Sequence, residues 1–175
     1  MNYFKYEFEV DEGEVTITRY KGNGGDVAVP DTIDGRPVTI IGAYAFRECF
    51  KLTSITLPNS ITTIGYAAFG SCTGLTSITL PNSITTIGYA AFAYCTGLTI
   101  ITLPNSITTI GNDAFYYCTG LTSISMPNRL TTIGNDAFSG CTGLTIINIP
   151  EGCSIGDDAF EDCPATITIR DKEDE

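Results

Sequence analysis

The chain has 175 residues, 43% of them hydrophobic, with 20 acidic against 9 basic side chains and a formal net charge of −11. This acidity leaves no basic face for nucleic acid or an anionic membrane, so we expect neither as a partner. The apolar runs are far shorter than the roughly 18 residues that cross a bilayer, so no membrane insertion is expected and the length fits one domain.

Residues 1–26 predict an N-terminal β-hairpin cap. From Tyr3 to Val10 apolar and charged side chains alternate, as in a half-buried strand, and Asp11–Glu14 is a turn before a second strand at Val15–Tyr20. We expect the hairpin to cover the edge of the coil that follows it. The first ten residues are charged rather than apolar, so no signal peptide is recognised in them.

Residues 27–170 are organised by a 23-residue repeat, clearest in LTSITLPNSITTIGYAAFAYCTG from Leu75 to Gly97. Four copies run from Leu52 to Gly143, a shorter copy starts at Leu144, and a partial copy ends at Cys49. Such a period indicates a solenoid, here of about six coils, in which each unit buries its apolar face on its neighbours.

The start of each repeat predicts a β-strand, because two apolar positions two residues apart share one face of an extended segment. The pairs are Ile55/Leu57, Ile78/Leu80, Ile101/Leu103, Ile124/Met126 and Ile147/Ile149. A proline then ends each strand. We expect the strands of successive coils to pair in parallel, about 4.8 Å apart, in one sheet.

The second half of the repeat carries another apolar pair, a glycine, Ala-Phe and cysteine. The run Gly-Asn-Asp-Ala-Phe at Gly111 and Gly134 predicts a short helical or 3₁₀ turn opposite the sheet, since Asn and Asp accept the N–H groups of a first turn. The predicted fold class is an α/β solenoid: a right-handed, curved coil with one parallel sheet and short helical turns on the other side.

The first and last coils depart from the repeat. Five extra residues within Asp31–Val38 predict a loop in the first coil. The last coil is one residue short, so Cys153 takes the position of Leu130 in the coil before. Ala165–Arg170 predicts a final strand, and residues 171–175 are an acidic tail that we expect to be disordered.

Six cysteines recur at the repeat period. They are Cys49, Cys72, Cys95, Cys118, Cys141 and Cys163. We interpret them as buried thiols that pack as small hydrophobes. Disulfides between coils and a metal ladder are the alternatives, although the seven cysteines of the chain cannot all pair within one monomer and histidine is absent.

The chain offers little for catalysis. Without histidine, the usual base of serine and cysteine nucleophiles is missing. Asp113 and Asp136 resemble a carboxylate pair of a glycosidase, but they are equivalents in consecutive coils, where we expect them to favour a helix dipole. We therefore expect no enzyme activity, no cofactor and no metal site.

Two surfaces are candidates for binding. The strand residues between the apolar pairs face solvent as a hydroxyl ladder that Ile100 and Ile146 interrupt. This set comprises Ser54, Thr56, Ser77, Thr79, Ile100, Thr102, Ser123, Ser125, Ile146 and Asn148. The two isoleucines are candidate anchors for a partner, or else neutral occupants of positions that suit strands.

The second candidate surface is aromatic. It comprises Tyr66, Tyr89, Tyr94, Tyr116 and Tyr117, near the repeat glycine and the cysteine turn. Tyrosines are frequent at interfaces and stack on sugar rings. The alternative is partial burial against adjacent coils.

The pattern LxxIxLPxSIxxIGxxAFxxC, as in Leu75–Cys95, resembles the BspA-like, treponemal type of leucine-rich repeat, and the resemblance covers roughly residues 27–169. It implies a non-enzymatic adhesion or interaction module on the cell surface or secreted. Its partner would be a protein, such as host matrix or another surface protein, with a glycan as second choice. The missing signal peptide leaves a cytoplasmic location open.

Other functions remain open from the residues themselves. Near-identical coils also suit a structural spacer or a designed consensus scaffold, and Ser-x-Thr rows at strand spacing are found in ice-binding solenoids. No charged residue occurs between Lys51 and Asp113, and acidic clusters lie at the two ends, in Glu7–Glu14 and Glu151–Glu175. We interpret these clusters as solvated caps that prevent end-to-end stacking.

Overall fold

The computed structural model describes residues 5–171, which form a β-solenoid of about seven turns. The strands are β1 (Tyr6–Asp11), β2 (Glu14–Tyr20), β3 (Gly25–Ala28), β4 (Thr32–Ile33), β5 (Arg36–Ile41), β6 (Leu52–Thr56), β7 (Thr63–Ile64), β8 (Ser77–Thr79), β9 (Thr86–Ile87), β10 (Ile100–Thr102), β11 (Thr109–Ile110), β12 (Ser123–Ser125), β13 (Thr132–Ile133), β14 (Ile146–Pro150), β15 (Ser154–Ile155) and β16 (Thr166–Arg170). The start of the predicted first strand and the predicted tail beyond Asp171 lie outside the described residues.

The predicted parallel pairing of equivalent strands is confirmed, but the prediction that they all form one sheet is wrong. Strands β3, β6, β8, β10 and β12 form one sheet in sequence order, and β14 and β16 form a further parallel pair. Equivalent residues lie opposite each other, so Ser54 pairs with Ser77, and Ser77 with Ile100. A proline lies two residues after the end of β3, β6, β8, β10 and β12 and limits their length, whereas β14 ends on Pro150 and β16 is followed by Asp171.

A second parallel ladder, which the sequence analysis did not predict, uses only two residues of each coil. Strands β9, β11, β13 and β15 pair in register, and β7 pairs with β5 at the start of the array. The segment after each proline turn therefore returns as a strand, with Ile110 opposite Ile87 and Ile133. Each coil thus contributes strands to two sides of the solenoid.

The predicted helical turns are wrong, because residues 6–171 contain no helix. The chain there forms successive four-residue turns, and the second residue after the repeat glycine has a positive φ in every coil, as at Ala90 (52°) and Asp113 (52°). That backbone region is incompatible with a right-handed helix. Asp113 and Asp136 therefore occupy left-handed turn positions, which aspartate tolerates, and do not face a helix dipole.

Hydrogen bonds between coils replace the helix. Alternate N–H groups on the turn side donate to the next coil, for example Phe92 N to Ala114 O (2.9 Å) and Tyr94 N to Tyr116 O (2.7 Å). The Asn112 side chain also bridges coils, because its Oδ1 accepts the N–H of Asn135 at 3.0 Å. Neighbouring coils are therefore joined by hydrogen bonds on the turn side as well as in the sheets.

The core consists of ladders of identical side chains. Phe69, Phe92 and Phe115 are fully buried, and their rings stack at centroid distances of 5.3 and 5.4 Å. Leucines, isoleucines and cysteines form equivalent buried ladders around them. Coils also approach closely at Gly97, where an added Cβ would lie 2.3 Å from the carbonyl oxygen of Thr73.

Strands β1 and β2 form an antiparallel hairpin at the start of the array. Strand β2 pairs in parallel with β5, and the Tyr20 ring stacks on Phe46 with a centroid distance of 5.1 Å. The five extra residues of the first coil form a small hairpin of β4 and β5 around Asp34-Gly35 instead of an irregular loop. Positive φ angles of 51° and 76° at these two residues make the tight turn.

We expect Ala90→Gly to leave stability unchanged or to raise it by up to about 1 kcal/mol, because glycine adopts a positive φ without steric cost. The matched Ala91→Gly variant loses a fully buried methyl group at an ordinary φ, and we expect it to cost about 1–2 kcal/mol. Urea unfolding of the two variants measures the difference. Equal losses of about 1 kcal/mol would indicate a helix at this site and contradict the turn.

Candidate protein-interaction surface

The strand face, defined as the outward residues of β3, β6, β8, β10, β12 and β14, consists mostly of small polar side chains. Within β8 the order exposed, buried, exposed at Ser77, Ile78 and Thr79 places the isoleucine in the core and both hydroxyls outside. The same pattern recurs in β10 and β12. All ten predicted strand-face positions are exposed except Ser54, which is half-buried.

The central hydroxyls of this face are available to a partner. Elsewhere, hydroxyl rows are used between coils: Thr99 Oγ1 donates to Thr76 O at 3.2 Å, and Ser106 Oγ donates to Ile84 O at 2.6 Å. In contrast, no hydrogen bond to residues 5–171 engages the hydroxyls of the central strand-face set. This set is Ser77, Thr79, Thr102, Ser123 and Ser125.

Ile100 lies in the middle of these hydroxyls. Its side chain is 56% exposed, and Ser77 and Ser123 lie directly opposite it on the neighbouring strands. Ile146 is 58% exposed at the equivalent position two coils further on. The two isoleucines interrupt the serine row that an ice-binding surface would use, and each presents an apolar group with a polar surround.

Asp26 marks the N-terminal end of the strand face and was missed by the sequence analysis. Its Oδ1 accepts hydrogen bonds from Ser54 Oγ (2.7 Å) and Thr53 Oγ1 (2.9 Å). These two bonds, that of Ser54 first, lower the pKa of Asp26 below its ordinary value. The signal in the sequence was weak, because only the pairing of β3 with β6 brings Asp26 next to Ser54.

The predicted tyrosines lie on the turn side and form two groups. Tyr66 and Tyr89 stack with centroids 5.1 Å apart, while Tyr94 stacks with Tyr117 at 5.8 Å and meets Tyr116 edge-on at 5.4 Å. Four of the five are exposed and Tyr116 is half-buried. They therefore do not belong to the strand face, and the two predicted surfaces are separate.

Stacking between the tyrosine rings limits which ring faces a ligand can reach. Because Tyr66 and Tyr89 lie within 16° of parallel, each ring covers one face of the other. Asp113, through hydrogen bonding and its negative charge, raises the pKa of Tyr89 above its ordinary value. Tyr44, missed by the sequence analysis, extends this group edge-on to Tyr66 at 5.0 Å. Sugar rings stack on accessible aromatic faces, so the tyrosine faces that are covered by these contacts are not available to a glycan.

The buried cysteines make hydrogen bonds between coils. Cys95 Sγ donates to Phe69 O and Cys118 Sγ to Phe92 O, both at 3.1 Å. Burial raises the pKa of Cys141 to about 12 and raises that of Cys118 well above its ordinary value. These thiols hold neighbouring coils together and stay protonated at neutral pH. Within residues 5–171, no three His, Cys, Asp or Glu side chains are placed to hold a metal ion.

A cavity lies at the N-terminal end of the solenoid. It has a volume of about 530 Å³ and lies between the hairpin and the first coil, where Tyr6, Tyr20, Val27 and Val29 line it. The Tyr6 hydroxyl donates to Ala28 O at 3.1 Å across this end. None of the predicted binding residues contributes to it.

Parallel strands in register, buried leucine and isoleucine ladders and a 23-residue period define the class of the protein as a leucine-rich-repeat solenoid. The particular family follows from sequence comparison. The profile of the BspA type leucine-rich repeat region matches residues 39–167 in six copies. The chain belongs to this family, whose members are typically protein-interaction modules, generally non-enzymatic and typically surface-associated.

Solved structures of bacterial leucine-rich repeat proteins share the fold. The T. pallidum leucine-rich repeat protein is 30% identical with a TM-score of 0.74, over 94% of this chain and 89% of that one. A leucine-rich cell surface protein of Faecalibacterium prausnitzii is 29% identical with a TM-score of 0.76, over 99% and 55%. A Bacteroides ovatus protein is 27% identical with a TM-score of 0.64, over 94% and 51%. The chain thus spans about half the length of the latter two.

No curated protein matches the chain significantly in sequence. Residues 5–171 contain no helix that is long and apolar enough to cross a membrane.

The cysteine ladder predicts a loss of stability in alkali. Cys141 keeps its proton in the folded state up to about pH 12, whereas the unfolded thiol loses it near pH 9, so its contribution is present below pH 9 and falls as pH rises to 12. We expect the wild type to lose about 1.5 kcal/mol more than Cys141→Ser between pH 8 and pH 10. Urea unfolding at both pH values tests this, and equal losses would contradict it.

Proposed function

We propose that the chain is the protein-binding module of a bacterial surface protein, and that it engages a protein partner through the strand face. The observation that carries the proposal is the set of unengaged hydroxyls around the exposed Ile100. Membership in a family of interaction modules supports the same function. The surface location is supported by the family and by the relative from Faecalibacterium prausnitzii, which is described as a cell surface protein.

The chemistry of the strand face suits a neutral protein surface. Between Lys51 and Asp113 the chain carries no charge, so a partner centred on Ile100 buries no ionised group of β6, β8 or β10 and incurs no large desolvation cost there. Serine and threonine hydroxyls both donate and accept hydrogen bonds, which lets them pair with backbone groups of either kind. Ile100 supplies an apolar anchor that the surrounding hydroxyls can shield from water.

Parallel pairing also makes this face rigid. The outward residues of β8, β10 and β12 are held by in-register hydrogen bonds between the strands. A partner therefore does not have to order the surface before binding, which removes an entropic cost from association. A protein rather than a glycan is favoured as the ligand, because the ten strand-face positions carry no aromatic ring on which a sugar could stack.

A charge placed on the anchor tests the proposal. We expect Ile100→Asp to weaken binding of a protein captured from bacterial surface or host-matrix extracts by at least about tenfold, because a carboxylate would have to be desolvated in the interface. Tyr94→Asp is the matched control on the turn side, with a parent side chain of similar exposure (48%). Surface plasmon resonance with the purified partner measures both.

Two outcomes would end the proposal. One is the absence of any protein retained by the wild-type chain from either extract. The other is a retained protein whose affinity falls with Tyr94→Asp and not with Ile100→Asp. Thermal unfolding of both variants must first show the wild-type melting temperature, so that a folding defect is not counted as lost binding.

A further inference from the structure

The turn side of the solenoid carries a group of exposed aromatic side chains. Five tyrosines there are each 41–48% exposed, and Tyr116 lies among them, half-buried against Ala90 and Ala93. The five are Tyr44, Tyr66, Tyr89, Tyr94 and Tyr117. Tyrosine is enriched at protein interfaces, and an exposed aromatic surface is a common site of interaction. The ten strand-face positions carry no aromatic ring, so the turn side is a chemically different surface.

Two carboxylates lie beside these tyrosines. Asp113 and Asp136 are the acidic residues between positions 52 and 150, a stretch whose one other charged residue is Arg129. Asp113, by hydrogen bonding and by its charge, raises the pKa of Tyr89, and the charge of Asp136 adds to this. Both carboxylates also contribute to the raised pKa of Tyr116, after burial and the neighbouring tyrosines. The two aspartates therefore lie within electrostatic range of both tyrosine groups.

No cation of residues 5–171 forms an ion pair with these carboxylates. The two ion pairs of this part of the chain involve Glu7 and Glu48. Arg129 lies in the connection between β12 and β13, whereas Asp113 and Asp136 lie in the turns that follow β11 and β13. The turn side is therefore an aromatic surface with uncompensated negative charge.

Tyr89 has one ring face free beside Asp113. Its ring stacks on Tyr66 of the preceding coil, which is its ring contact within residues 5–171. In the following coil the equivalent residue is Asn112, which is not aromatic. The Asn112 side chain accepts the N–H of Asn135 in the coil beyond, at 3.0 Å, and so is directed away from Tyr89. A flat group of another molecule can therefore stack on the second face of Tyr89.

The other end of the same tyrosine row shows what such a face binds. There the Arg47 guanidinium lies over the ring of Tyr44, 5.3 Å from its centroid, and Glu48 Oε1 lies 3.4 Å from Arg47 Nη2. A cation over a tyrosine face with a carboxylate beside it is favourable, because the negative ring face and the carboxylate both attract the charge. Tyr89 and Asp113 present the same two groups.

We propose that the aromatic and acidic patch formed by Tyr89, Asp113, Tyr116 and Asp136 binds an arginine-rich segment of another protein. An arginine of the partner stacks its guanidinium on the free face of Tyr89 and donates hydrogen bonds to Asp113. A second basic side chain pairs with Asp136. Arginine suits this patch better than lysine, because its planar group both stacks on rings and donates two parallel hydrogen bonds to a carboxylate. The patch is distinct from the strand face, so this contact is independent of the proposed function.

Peptides of defined charge probe the patch. GSRGSRGS, GSKGSKGS and GSEGSEGS differ only at their two charged positions. At low ionic strength we expect the chain to bind the arginine peptide at least about threefold more tightly than the lysine peptide, measured by fluorescence anisotropy. No binding of the glutamate peptide is expected. In NMR spectra, the side-chain CH₂ protons next to the guanidinium should shift upfield on binding, because they lie over a tyrosine ring.

Paired substitutions test the role of charge. Asp113→Asn with Asp136→Asn removes both carboxylates, and asparagine tolerates the positive φ angles of 52° and 54° at these positions. We expect this double variant to weaken binding of the arginine peptide at least about fivefold. Glu9→Gln with Asp11→Asn removes the same charge from exposed positions of the hairpin and should leave the affinity within about twofold.

Substitution of Tyr89 tests the role of the ring. Tyr89→Leu should weaken binding of the arginine peptide at least about threefold and abolish the upfield shift, whereas Tyr89→Phe retains a ring and should keep the shift. Thermal unfolding identifies any variant that is destabilised, and the upfield shift with the wild-type chain tests the patch without a substitution.

Several results would overturn the proposal. They are an affinity for the arginine peptide no higher than for the lysine or glutamate peptide, equal weakening by the two double variants, and arginine protons that do not shift upfield. A dimer in light scattering that the arginine peptide dissociates would also overturn it, because Lys5, Arg19 and Lys21 of a second copy would then supply the cations.

Discussion

The register between successive coils is the constraint on which the rest of the molecule depends. Each residue lies beside its own equivalent, so Phe92 stacks between Phe69 and Phe115, and Ile101 pairs with Ile78 and Ile124. Within the array, a ladder of this kind buries each core side chain between two equivalent neighbours. It also requires every coil to have nearly the same backbone.

Register explains why the turn side has no helix. A helix would satisfy its N–H groups internally, whereas here alternate N–H groups donate to the next coil, as Phe92 does to Ala114. To point these groups outward the chain accepts left-handed residues in each turn, among them Ala90 and Tyr94. The strain is small at each site and is offset by hydrogen bonds along the whole array.

Register also determines where partners can bind. Hydroxyls in the turns and connections are used to bridge coils, so they hold the array together and are not available. The outward hydroxyls of β8, β10 and β12 make no such bridges, and they surround Ile100. The proposed contact on the strand face thus uses hydroxyls that the stacking of coils leaves without partners.

The sequence by itself determined the coil, its strands and the buried ladders, because a 23-residue spacing of Leu, Ile, Phe and Cys allows only stacking to bury them. It also placed Ile100 outside, since side chains alternate along a strand. The prediction of a helical turn at Gly-Asn-Asp-Ala-Phe was wrong, because local helix propensity takes no account of hydrogen bonds to a neighbouring coil. Tertiary structure alone decided the second ladder, the contact of Asp26 with Ser54 and the face-to-face stacking of Tyr66 on Tyr89. Each of these depends on which residue of another coil lies alongside, and no local stretch of sequence contains that information.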